Sequence, residues 1–277
     1  PNMISLKEKI RVNQQLIQCG ANINEISCVR KHLSDIKGGK LVEKMPGTGI
    51  SFVLSDVIGD DLSSISSGLT YADKTTFSDA LKIVKKYKIE KNISKNIISI
   101  LKNGKNGIIK EAPRKPKFPN IIIGNNKKSL IAMKTKSKKL GYSSDVIFNL
   151  NSNVKVEARK IARKLKNSSK SCIIFGGETT VNVLGRGKGG RNQELVLQLS
   201  KELRNFPCVI SSIGTDGIDG NTKFAGAIVS TINLGQFENF LKNNDSFNFF
   251  KKFGGLIHTG PTHTNVNDIG IIIKQNL

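Results

Sequence analysis

At 277 residues, 38% of them hydrophobic, the chain is long enough for about two domains with sizeable cores. Its longest apolar runs, such as Ile269 to Ile273, are of strand length and well short of the roughly 20 residues that cross a bilayer, so neither a membrane span nor a secretory signal is expected. With 44 Lys and Arg against 21 Asp and Glu the formal net charge is +23, but the lysines are dispersed and only 6% of residues are aromatic, which argues against nucleic-acid binding and for a field that draws anionic metabolites.

Ser5-Leu6-Lys7-Glu8 is a capping box, and the helix it opens is expected to run to about Cys19, with Gly20 as a left-handed stop. A second helix places Ile26, Val29, Leu33 and Ile36 on one face and Arg30, Ser34 and Lys37 on an adjoining strip, up to Gly38-Gly39. Cations and a hydroxyl beside that glycine pair could hold a carboxylate or phosphate, or could simply form a solvated flank. Ile50 to Val57 reads as a strand ending at Ser55-Asp56, followed by Asp60 and Asp61. Carboxylates in that position suit a metal or a general base, or a plain turn. Thr76 to Asp79 caps a third helix, and a fourth over 94–103 is expected to end at Asn103-Gly104. Ala112 to Pro119, rich in proline, reads as a loop. Strands at Ile121–Ile123 and Ser144–Leu150 then alternate with helices at Lys127–Leu140 and Val154–Lys166, a β/α pattern. Lys166 to Lys170 is the candidate domain boundary.

The second half is expected to continue with strands at Cys172–Phe175 and Thr179–Leu184, a helix from Arg191 to Asn205 and a strand from Cys208 to Ile213. Two more helices ending near Phe253 and a last strand through Ile273 complete it. Three glycine clusters, at Gly176-Gly177, Gly185 to Gly190 and Gly214 to Gly220, sit at the ends of these elements and predict close approach of a ligand. Four scattered cysteines form no Cys-x-x-Cys pair and three histidines form no zinc-type helix motif, so reduced cysteines in a cytoplasmic protein are expected.

Gly185-x-Gly187-x-x-Gly190 matches the dinucleotide fingerprint formally, but Arg186, Lys188 and Arg191 suit phosphate oxygens better, and no acidic ribose partner lies about 20 positions on. No Walker-type motif occurs, which excludes a P-loop nucleotidase. Phosphoryl transfer needs cations and amides around phosphates, carboxylates for magnesium and a group to receive a proton. Gly185 to Arg191 with Asp216 and Asp219 can supply them.

Six ordered motifs resemble the glycerate 2-kinase family, whose C-terminal domain is called MOFRL and some of whose members are labelled hydroxypyruvate reductases. They are Val29 to Gly39, Ser55 to Asp61, Gly176 to Val181, Gly189 to Glu194, Gly214 to Gly220 and Thr259 to Asp268. The resemblance implies ATP- and Mg2+-dependent phosphorylation of D-glycerate at its 2-hydroxyl. It implies two three-layer α/β domains, a Rossmann-like one over 1–168 and a MOFRL-type one over 169–277, with the active site in the cleft between them. Carried over, Arg191 would contact the transferred phosphoryl group, Asp56 the substrate hydroxyl or metal, and Asp216 and Asp219 the metal or nucleotide. Substrate and phosphate binding falls to Arg30, Lys31, Ser34, Lys37, Gly38 and Gly39 in the first domain. In the second it falls to Gly176, Gly177, Glu178, Thr179, Gly189, Gly190, Asn192 and Thr215. Glycerate and ATP are the implied partners, with no nucleic acid or membrane and with a homo-oligomer compatible. The rival reading is an NAD(P)H-dependent hydroxypyruvate reductase resting on the Gly185–Gly190 fingerprint.

The chain departs from the family pattern at several points: Ile58 and Leu69 stand where proline is usual, Lys40 replaces an arginine and His263 a small residue. Family members also carry a substantial segment before the position of Ser5. The chain, which starts at Pro1, is therefore expected to be a fragment with an incomplete first sheet.

Overall fold

The computed structural model describes residues 4–115, 117–232 and 236–275, so Pro116 of the proline-rich loop lies outside the described residues. The chain forms two compact units, Pro1–Val53 with Gly59–Ile122, and Leu54–Ile58 with Ile123–Leu277. The expected division at 168 thus falls inside the second unit, because strands on both sides of it share one sheet.

The first unit is mainly helical. In α1 (Leu6–Gln18) the Ser5 hydroxyl accepts the Glu8 N–H and the Glu8 carboxylate accepts the Ser5 N–H, the expected capping box, and Val12 and Leu16 are buried. A second capping box, Asn22 with Glu25, starts α2 (Ile23–His32). That helix ends earlier than its apolar spacing suggests. The Lys40 ammonium, from α3 (Lys40–Glu43), donates to the carbonyls of Lys31 and Ser34 and so satisfies the freed acceptors at the helix end. Strand β1 (Ser51–Leu54) follows, then α4 (Phe77–Lys86) with its Thr76–Asp79 capping box, and α5 (Lys95–Lys105).

Contrary to expectation, α5 runs through Gly104, and Gly107, at φ 78°, makes the stop. Gly104 serves packing instead: a Cβ there would lie 2.1 Å from Cγ of the buried Phe77 ring. Gly104→Ala is expected to destabilise the unit by about 1–3 kcal/mol through overpacking, outweighing the roughly 1 kcal/mol that alanine adds to helix propensity. Urea unfolding with an unchanged m-value checks this, and an unchanged or higher midpoint would refute it.

Strand β2 (Asn120–Gly124) pairs with β1 in a two-stranded sheet. The second unit is an α/β layer structure made of α6 (Asn126–Lys139), β3 (Ser144–Leu150), α7 (Val154–Asn167), β4 (Cys172–Gly177), α8 (Arg191–Glu202), β5 (Cys208–Gly214), β6 (Gly226–Ser230), α9 (Glu238–Lys242), α10 (Ser246–Phe253), β7 (Leu256–Ile257) and β8 (Asp268–Lys274). Strand order is β3-β4-β8-β5-β6-β7; β3 and β4 are parallel and every other pairing in the sheet is antiparallel. β4 is buried on both faces, so its run reads as continuously apolar. Ile173 and Phe175 join Ile161, Leu165, Leu195, Leu199 and Phe249 from the helices on one face, while Cys172 and Ile174 pack with Leu130 of α6 on the other. Two sequence readings need correction here. β6 was not foreseen, and the expected strand over 179–184 does not form: beyond Gly177 only a lone bridge joins Thr180 to Asn153, leaving Val183 and Leu184 exposed.

Candidate functional site

The last strand enters the middle of the sheet and delivers the one residue that organises the site. In register, Asp268 at the start of β8 pairs with Gly177 at the end of β4 on one side and with Gly214 at the end of β5 on the other. The turns leaving both parallel-running strands therefore meet at Asp268, the position where open α/β sheets place ligands.

Asp268 is buried, and its carboxylate receives Arg191 as a two-pronged pair, Nε to Oδ2 at 2.6 Å and Nη2 to Oδ1 at 3.1 Å. The third guanidinium nitrogen donates to Glu178 at 2.9 Å. Burial raises the Asp268 pKa, with the Arg191 hydrogen bond acting against it. The Arg191 pKa is shifted upward: burial works to lower it and is outweighed by the bonds and charges of Asp268 and Glu178. Asn192 ties this pair to the next turn. Its amide donates to Asp268 at 3.0 Å and to Asp219 at 3.3 Å, and its oxygen accepts from the Ser212 hydroxyl at 2.6 Å.

Asp219 accepts the N–H groups of Asn192 and Gln193, both at 2.9 Å, in the first turn of α8. It is 1% exposed, and burial, only partly offset by those N–H bonds, pushes its pKa up to about 6. Both oxygens of this carboxylate are engaged by the start of the helix, which it caps from inside the fold. Asp216 differs. It lines a cavity of about 440 Å³ together with Gly189, Gly190, Arg191 and Glu194, and spends Oδ1 on the Ile218 N–H at 3.0 Å. Among the described residues no group of three or more His, Cys, Asp or Glu side chains is placed to hold a metal. Asp216 suits the sparser arrangement of one carboxylate completed by phosphate oxygens.

The glycines take on a different meaning from the one their spacing suggests. A Cβ on Gly190 would meet the Asp219 carboxyl carbon at 2.2 Å, and one on Gly217, at φ 87°, would meet the Gly260 carbonyl at 2.0 Å. These residues are small because the protein's own loops close on them. Nor are the amides between 184 and 189 free for phosphate. Leu184 and Gly185 donate to the Asn244 side chain, Arg186 to the Asn243 side chain, Gly187 to the Asn243 carbonyl, Lys188 to Asp245 and Gly189 to Asn221. Of the other expected residues in this unit, Glu178 reaches Arg191, Thr215 binds the Asn267 carbonyl, Gly176 and Gly177 lie beside Asp268 and Leu150, and Thr179 is buried. Asp56 is exposed just past β1 and is not among the residues lining the cavity.

In the first unit, Lys31 is buried against Asp73 at 3.4 Å, and Lys37 donates to the Ser66 carbonyl and the Ser67 hydroxyl. Ser34 accepts from the Ile36 and Lys37 N–H groups, while Gly38 and Gly39 donate to the carbonyls of Ser67 and Gly68. Burial lowers the pKa of Lys37, and the nearby charges of Arg30, Lys9 and Lys31 lower it further. Such mutual repulsion among cations is relieved by an anion. Asp61, a candidate acid in the sequence, accepts from Ser63 and Ser64 and belongs to its turn. The signal for Asp268 was present in the Asn265-Val266-Asn267-Asp268 motif, but Ser212, at an ordinary strand position, carried none.

A helix N-terminus carrying a braced arginine, set beside the carboxyl ends of two strands and a carboxylate-lined cavity, defines an anion-handling α/β enzyme site. Two family patterns match the chain, the domain of unknown function DUF4147 over residues 1–102 and the MOFRL family over 171–268. D-glycerate 2-kinase of Thermotoga maritima is 40% identical over 98% of this chain and 68% of its own length. Glycerate 2-kinase of Pyrococcus horikoshii is 35% identical over 98% of this chain and 66% of its own length, and a putative hydroxypyruvate reductase of Agrobacterium vitis is 34% identical over 98% and 65%. The crystal structure of glycerate kinase from Thermotoga maritima superposes with a TM-score of 0.89 at 37% identity, covering 99% of this chain and 69% of that one. The chain spans about two thirds of the length of these relatives. It belongs to the glycerate kinase family.

Proposed function

We infer that the chain carries the glycerate 2-kinase activity of its family, moving the terminal phosphoryl group of ATP to the 2-hydroxyl of D-glycerate to give 2-phosphoglycerate and ADP. The observation that carries the reading, beside kinship, is Arg191 fixed by Asp268 in the lining of a cavity that Asp216 also lines. A guanidinium locked in place can meet the charge that spreads over a transferring phosphoryl group without reorganising when it forms. Its link to Glu178 is the exchangeable one, because Glu178 is exposed and a phosphoryl oxygen can take its place. Arg30, Lys31 and Lys37 supply positive charge for an anionic substrate, with Ser34, Gly38 and Gly39 shaping the turn that presents it. Asp56, exposed at the end of β1, is the carboxylate assigned to the substrate hydroxyl. Magnesium, when bound, would neutralise phosphate oxygens, and Asp216 is the residue that would hold it. The reading carries a cytoplasmic location, where ATP and small hydroxy acids are at hand. Within it, the second unit, which contains residues 169–277, carries the phosphate chemistry.

The reductase reading loses support because the fingerprint amides it needs are held by Asn243, Asn244 and Asp245. A coupled ADP-release assay with D-glycerate, ATP and magnesium tests the kinase reading, on the chain and on a version extended to the length of its relatives. Glycerate-dependent ADP release is expected. NADH oxidation on hydroxypyruvate with no ADP release from either protein would overturn it.

A further inference from the structure

Glu194 is 2% exposed, yet it lines the same cavity as Arg191, one helical turn away on α8. Within the protein its carboxylate accepts a long 3.4 Å hydrogen bond from Gln198 and another from the Asn244 side chain. A phosphate-binding pocket has no use for a second, buried carboxylate, which would repel the ligand. Its surroundings suit something else. Val181, Val183 and Ile218 give the cavity apolar walls, and the hydroxyl of Ser246, 1% exposed and with no hydrogen-bond partner among the described residues, also lines it. A buried acceptor and an unused hydroxyl between aliphatic walls match a flat heterocycle that presents a donor next to an acceptor.

We propose that this part of the cavity is the nucleobase subsite, in which Glu194 accepts the exocyclic amine of a 6-aminopurine, Ser246 donates to a ring nitrogen, and Val181 and Val183 cover the ring face. The proposal rests on the kinase reading for the presence of a nucleotide and deepens it by naming what selects the base. Arg191 and Glu194 line one cavity. A 6-oxopurine sets its carbonyl oxygen, an acceptor, against the Glu194 carboxylate, so that pairing is lost and the site discriminates against it.

Calorimetric titration of the whole protein with ADP and with IDP, in magnesium, tests this without turnover. ADP is expected to bind about 10- to 100-fold more tightly than IDP, the cost of unpaired buried polar groups. Glu194→Gln offers both an acceptor and a donor, so it should bring the two ligands within about threefold of one another. Val183→Trp, at a position 70% exposed and therefore safe for folding, should block the slot and weaken ADP by at least about tenfold. Equal binding of ADP and IDP to the wild type, an unchanged ratio in Glu194→Gln, or unimpaired ADP binding by Val183→Trp would each overturn the subsite. Glycerate phosphorylation that proceeds equally with ATP and ITP would overturn it while leaving the kinase reading intact. Selective ADP binding without any glycerate phosphorylation would support the subsite and sink the kinase reading.

Discussion

Arg191→Ala is expected to lower kcat/KM for glycerate phosphorylation by about 10²- to 10³-fold, the usual loss when a fixed group that stabilises transition-state charge is removed. The fold should survive, because Arg191 stands at the first position of α8 with 35% of its side chain exposed. Among the described residues, what then remains to bond the Asp268 carboxylate is Asn192, so a moderate drop in stability accompanies the loss. Arg191→Lys separates charge from geometry. Lysine keeps the charge but cannot make the two-pronged pair with Asp268, so most of the deficit should persist, with the fall seen in kcat more than in KM. Thermal unfolding of each variant supplies the control for folding. Activity within about threefold of wild type in the alanine variant would remove Arg191 from the chemistry, since a loss that small matches no transition-state contact.

Helix starts were legible because capping is local chemistry. Ser5 with Glu8 and Thr76 with Asp79 form their boxes as read. Helix ends were less so, since α2 is closed by Lys40 and α5 continues through Gly104 because Phe77 needs the space. The glycine clusters drew attention to the right region for a partly wrong reason. Gly190 and Gly217 admit Asp219 and Gly260 rather than a ligand, and a side chain's need for a neighbour's volume is invisible in one dimension. The site residues split along the same line. Arg191 could be found from its motif, and Asp268 stood in a motif without a stated role. Its importance comes from β8 inserting between β4 and β5, a long-range pairing that no local pattern encodes.

Asp219 is where the sequence and the fold assign different work to one residue, and its titration separates them. Buried under the first turn of α8, it is expected to titrate near 6 in the folded protein, against an ordinary value of 3.8. Burial raises the value, and the N–H groups of Gln193 and Asn192 hold it back only in part. Between those two pH values the folded chain binds more protons than the unfolded one, so this group's contribution to stability falls as pH rises from about 4 to about 6 and is level above. A shift of that size corresponds to roughly 3 kcal/mol at most. Asp219→Asn removes the titration. The stability of the wild type relative to the variant should therefore decline by about that amount across the window, in denaturant unfolding at a series of pH values. The variant should also be weaker at every pH, since an amide presents one acceptor where two N–H groups need one each. A metal ligand would behave in the opposite way: magnesium would stabilise the wild type and not the variant, because a ligand bound only by the folded state adds to its stability. Equal response of both proteins to magnesium, with the pH-dependent difference present, is the result the cap requires.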